Sequence, residues 1–135
     1  MESSTDYAAF SGWPAEVLPD IALEIHGLIK DERVKKFKIG RTDDPRSRTY
    51  AYARNNCDEL QILYLTESLD NAMDVEDALI NRFISHPKCC NIAPHSGGGI
   101  STVYAGNSVY IAIWYKPWLE QLVEWFLQGF LSQPR

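Results

Sequence analysis

The chain has 135 residues, of which 45% are hydrophobic and 23% charged, with 8 Gly and 7 Pro. These figures suit one folded domain around one core and exclude a disordered tail, a collagen-like chain or a low-complexity array. The net charge of −5, taken in bulk, speaks against a general nucleic-acid binder, whose usual footprint is a basic domain.

The charge is unevenly placed. Residues 30–54 hold nine of the thirteen bases, Lys30, Arg33, Lys35, Lys36, Lys38, Arg41, Arg46, Arg48 and Arg54, against four acids, a net +5. The remainder holds four bases against fourteen acids, a net −10. Such a segment is either a solvated basic face or a local site for an anion such as phosphate.

In chain order, residues 1–21 are polar at first and then carry Pro14 and Pro19, which reads as an arm with at most a short helix. Leu23, Ile25, Gly27 and Ile29 alternate, which predicts a strand over 22–30. A polar turn at Asp31–Arg33 leads to a second strand over Val34–Arg41, and the pair predicts an antiparallel hairpin. Thr42-Asp43-Asp44-Pro45 is a helix-start signal, a short acceptor followed by proline, with the helix running to about Arg54. Leu60–Leu65 reads as a third, buried strand, and Ser68 and Asp70 open a second helix to about Ser85. A loop rich in Gly, Pro and His follows over 86–99, and 103–115 is strand-like, with Gly106-Asn107 as a candidate hairpin turn. Pro117 starts a last helix whose stripe of Trp118, Leu119, Leu122, Val123, Phe126, Leu127 and Phe130 reads as core packing, with a partner surface as the alternative. The expected fold is α/β (α+β): a small central antiparallel three-stranded sheet flanked by helices, with an additional C-terminal strand and helix. The expected division is an arm at 1–21, a core at 22–101 and a C-terminal strand and helix at 102–135, packed as one domain.

Three cysteines, Cys57, Cys89 and Cys90, at no disulfide-framework spacing and with no signal-like run after Met1, point to a reduced intracellular protein, cytoplasmic, nucleoid or nuclear. Cys89 and Cys90 near His86 and His95 invite a zinc reading, but they lack the paired spacing of structural sites and read instead as small buried residues at a helix end. No apolar stretch is long enough to cross a membrane.

Glu76 breaks its local pattern. It lies four residues after Ala72, three before Leu79 and seven before Phe83, on the stripe that should face the sheet. A carboxylate buried there needs an ion-pair partner or a cation.

The run Phe37-Lys38-Ile39-Gly40-Arg41-Thr42, followed by Asp44-Pro45-Arg46-Ser47-Arg48, resembles the GIY-YIG nuclease superfamily, in the branch whose second motif reads K-I-G followed by R-T. That family pairs two tripeptides on a hairpin, then places an arginine about eight residues past the second glycine, a metal-binding glutamate on a later helix, and an asparagine opening a Gly-rich stretch. Here Arg48 stands eight residues past Gly40, Glu76 sits in Val75–Phe83, and Asn91 opens a segment ending in Gly97-Gly98-Gly99. The match covers roughly residues 23–99. Two positions depart from the pattern. The first tripeptide is Glu24-Ile25-His26, and Lys38 stands in place of the second tyrosine.

The resemblance implies metal-dependent endonucleolytic hydrolysis of DNA phosphodiesters. Glu76 would hold Mg²⁺ or Mn²⁺, Arg48 would clamp the phosphoryl oxygens, and Lys38 would assist as a point charge. His26, or Tyr52 one helical turn after Arg48, would activate the water, although His26 as a packed strand residue is the alternative. Lys35, Lys36, Arg41 and Arg46 would contact nucleic acid, with Gly40 and Asn91 in support. The alternative function is a catalytically weakened binding or protein-interaction module. The expected partners are DNA and, through the C-terminal helix, a second copy of the chain, with no membrane.

Overall fold

In the computed structural model, which describes residues 4–6, 9–92 and 107–131, the stretch over 22–30 is helical. Helix α1 spans Pro14–Ile29, so the expected strand and hairpin are absent and the boundary at 21/22 falls inside one element. Ile21, Ala22, Ile25 and Ile29 are all buried, recurring at the helical spacing of i, i+1, i+4 and i+8. Leu23, counted among the alternating apolar positions, is 69% exposed. The end of α1 is held by Lys88, whose Nζ donates to the carbonyls of Ile29 (2.8 Å) and Asp31 (3.0 Å), satisfying acceptors that a helix terminus leaves open.

Strand β2 (Val34–Thr42) follows, then α2 (Pro45–Ala53), β3 (Glu59–Thr66) and α3 (Leu69–Phe83). Both helix starts carry the caps that the sequence offers. Asp44 accepts from the Ser47 amide at 3.1 Å, and Ser68 from the Asn71 amide at 3.1 Å. Strand β4 (Asn107–Tyr115) and helix α4 (Trp118–Leu131) complete the described chain. Asn107 is the first residue of β4, and Gly106 lies outside the described residues.

The sheet order is β1-β3-β4-β2, with β1 (Ser4–Asp6) pairing parallel to β3 at one edge. The other two ladders are antiparallel, giving the expected three-stranded antiparallel sheet flanked by helices. Its composition is different: β4, expected as a C-terminal addition, is a central strand, and it is the antiparallel neighbour of β2. Residues 107–113 are all buried, and the run Val109–Ile113 is the signature of a strand covered on both faces. The exposed lysines Lys35, Lys36 and Lys38 mark β2 as an edge, as charge on an edge strand commonly does.

Alternation along the strands separates two faces. Phe37, Ile39, Val109, Ile111 and Ile113 join α1 and α3 in the larger core. Tyr110 and Ala112 face the other way with Leu60, Ile62 and Cys57, packed by Tyr52 and Trp114. Among the described residues no helix is long and apolar enough to cross a membrane.

Candidate active site

Most of the functional candidates lie on β2 and α2, and Glu76 lies on α3, on the Arg41 side of the sheet. Gly40 lies opposite Tyr110 in the β2–β4 register. A Cβ at Gly40 would run into the Tyr110 hydroxyl and ring, so only glycine lets the phenol lie across the strand there. The Tyr110 hydroxyl shares a 2.9 Å hydrogen bond with the hydroxyl of Tyr52, and the two rings meet edge to face at 5.6 Å. Tyr52 also meets Trp114 at 5.7 Å. Arg48 precedes Tyr52 by four residues on α2 and is exposed, which puts both on one helix face. Burial pushes the Tyr110 phenol well above its ordinary pKa, and the neighbouring Tyr52 adds to this. The charge of Arg48 lowers it and that of Glu76 raises it, so both charges act on this hydroxyl. Tyr110 is therefore a hydrogen-bonding phenol rather than an ionised one through the neutral range.

Lys38 and Lys36 lie opposite Ala112 and Trp114, on the same face as Gly40 by strand alternation. Both are exposed, and the Lys36 ammonium stands 4.9 Å above the Trp114 ring. Arg46 is exposed in the first turn of α2. Two other basic candidates are engaged elsewhere. Lys35 Nζ is 3.7 Å from Glu120 of α4.

Arg41, expected to meet a phosphate, is buried. Alternation turns it to the α3 side, where its Nε lies 3.4 Å from Glu76 Oε1, the two side chains 5% and 3% exposed. Glu76 does occupy the inward stripe of α3, and the ion-pair alternative for it is realised. As a metal ligand it offers one hard oxygen donor group, and among the described residues no group of three His, Cys, Asp or Glu could hold a metal. That donor set suits Mg²⁺ or Mn²⁺, which accept one carboxylate and take water and substrate phosphate for the rest, and does not suit zinc. In this arrangement Arg41 supplies the countercharge that such an ion would supply.

Asn91 lies against the same strand. Its Oδ1 accepts from the Ile39 amide at 2.9 Å, and its Nδ2 donates to the Ile39 carbonyl at 2.8 Å. Phe37 and residues 88–90 exchange two further backbone bonds, so this segment satisfies part of the free edge of β2. Cys89 and Cys90 are half-buried there, and burial raises the Cys89 thiol. His95 and Gly97–Gly99 lie outside the described residues.

His26 is not a strand residue. It sits on α1 with its ring 4.9 Å from that of Phe83, and Phe83 is seven residues, about 10 Å along the helix, from Glu76. The tyrosine beside the glycine comes from β4 instead. The signal for it was present in Val109-Tyr110-Ile111, an aromatic in a strand-forming run. Sequence pattern alone does not assign it to the glycine, because its partner strand lies some seventy positions earlier rather than across a short turn.

Compared with known protein families, residues 25–99 match the T5orf172 domain. No curated protein and no solved structure matches the chain.

Proposed function

The chain belongs to the T5orf172 domain family, and on that premise we propose that it is a metal-dependent endonuclease hydrolysing DNA phosphodiester bonds through a GIY-YIG-type site. The family is associated with a nuclease-type fold in phage proteins, and a nuclease-like or DNA-binding role agrees with it. The observation that carries the reading is the Tyr110 phenol lying over Gly40 and bonded to Tyr52, one helical turn from Arg48. In this reading β4 does the work of the hairpin strand that the resemblance places before β2, entering from the opposite end of the chain.

Arg48, planar and permanently charged, clamps the phosphoryl oxygens as negative charge builds on them. Lys38 adds a point charge on the same face, and Lys36 and Arg46 hold flanking phosphates. Tyr110 keeps its proton and fixes the Tyr52 hydroxyl, which orients the attacking water. His26, on α1 beside Phe83, has no part in this reading. Glu76 would hold Mg²⁺ or Mn²⁺, which when bound stabilises charge on the leaving 3′ oxygen. Taking up the ion requires Glu76 to exchange its pairing with Arg41. Asn91 keeps Ile39, and with it the glycine turn, in register.

The test is nicking of supercoiled plasmid and branched DNA with Mg²⁺ or Mn²⁺, comparing wild type with Arg48→Ala and with the double variant Arg41→Met, Glu76→Leu, which removes the carboxylate and its buried countercharge together. Cutting by wild type, lowered in both variants, is the expected result. An inert wild type, or variants that cut equally well, overturns the nuclease reading. The closed Glu76–Arg41 pair favours a second reading, a DNA-binding module with weakened catalysis. That reading is selected if wild type shifts DNA in a salt-dependent way without cutting it.

A further inference from the structure

Helix α4 turns its polar stripe toward the domain. Glu124 Oε2 accepts from Lys116 Nζ at 2.7 Å, Glu120 faces Lys35, and Gln121 Nε2 donates to the Lys116 carbonyl. Gln121 and Glu124 are half-buried. The apolar stripe points outward: Trp118 is 73% exposed, Trp125 and Phe126 are each 69%, and Leu119, Leu122, Val123 and Leu127 are exposed with them. This overturns the reading of the stripe as core packing. A soluble domain seldom leaves such a contiguous patch in water.

We propose that a second copy of this chain covers this face, with the two α4 helices packed across a two-fold axis. The exposed side chains present on the order of 800 Å², about one partner's share of a standard interface. A two-fold interface uses the same patch twice, and this stripe is free of charge. Its two acids are held within their own protomer, so two copies meet without like-charge opposition. Helix α4 carries no Lys or Arg, whereas helices that lie on anionic lipid carry them along the polar face. The same lack argues against nucleic acid as the occupant.

Sedimentation equilibrium of the full chain under reducing conditions tests this. Wild type is expected to show a dimer mass that dissociates on dilution, with the Trp emission moving to the blue as dimer forms. The double substitution Trp125→Glu, Phe126→Glu alters side chains that the isolated domain leaves in water, so it should fold as wild type by circular dichroism. It should weaken dimerisation about 100-fold or more. A wild type that stays monomeric up to its solubility limit overturns the proposal, as does a dimer untouched by the double substitution. A monomer that floats with phosphatidylserine vesicles through this face overturns it in favour of a lipid surface.

Discussion

At the Tyr110 hydroxyl the proposed chemistry and the stability of the fold meet. Its pKa is raised above the ordinary value of 10.0, by burial first and by Tyr52 second. Below that ordinary value both folded and unfolded chains hold the proton. Above it the unfolded chain loses the proton and the folded one keeps it, so stability falls as pH rises, by about 1.4 kcal/mol per pH unit. Cys57 is raised in the same direction by burial and contributes to wild type and variant alike. Urea unfolding of wild type and Tyr110→Phe across the alkaline range isolates the phenol, because the variant should show the shallower decline. In the plasmid assay the same variant, still folded, should cut about 100-fold more slowly. Glu76 requires a different design, because removing it leaves Arg41 charged and buried. Glu76→Ala should cost about 3–5 kcal/mol in urea unfolding, which would confuse lost folding with lost chemistry. The double variant Arg41→Met, Glu76→Leu should recover most of that stability and still not cut. If it cuts, Glu76 has no catalytic part.

Between elements, the register of β2 on β4 depends on one missing side chain. Gly40→Ala must push the Tyr110 ring aside and should cost about 1–3 kcal/mol. In a Tyr110→Ala background the same change should cost much less, and urea unfolding of the four proteins measures that coupling. An equal cost in both backgrounds would remove Tyr110 as the reason for the glycine. Local chemistry made some elements readable: Asp44 and Ser68 cap α2 and α3 where their positions indicate, and Glu76 lies inward. The stretch over 22–30 is ambiguous because Leu23, Ile25, Gly27 and Ile29 fit a two-residue period while Ile21, Ile25 and Ile29 fit a helical one. Burial against α3 decides between them, and so short a window cannot. That β4 pairs with β2 is a long-range choice, which no turn sequence between them specifies. The outward stripe of α4 was visible as amphipathy, but periodicity does not say whether an apolar face meets its own core or another molecule.

At the scale of the whole molecule, the net −5 divides into a basic segment and an acidic remainder, and the fold divides the basic segment again. Arg41 is withdrawn into its pair with Glu76, and Lys35 is engaged by Glu120. Lys36, Lys38, Arg46 and Arg48 stay exposed on β2 and α2. Four phosphate contacts predict that the logarithm of the DNA association constant falls against the logarithm of salt with a slope of about −3.6. Fluorescence anisotropy over a salt series measures that slope. Lys36→Gln and Lys38→Gln should each lower its magnitude by about 0.9. Arg82→Gln, on the last turn of α3 with its guanidinium over Phe83, should leave it unchanged. A slope near zero, or one moved as much by Arg82 as by Lys38, would detach the basic face from DNA. The acidic remainder sets the absolute scale. Under the proposed function it would repel the duplex beyond the contact face, so binding at physiological salt should be weak for a single site. A two-fold dimer able to seat both basic faces on one duplex would show about twice the slope, and the α4 double substitution should return it to the single-site value.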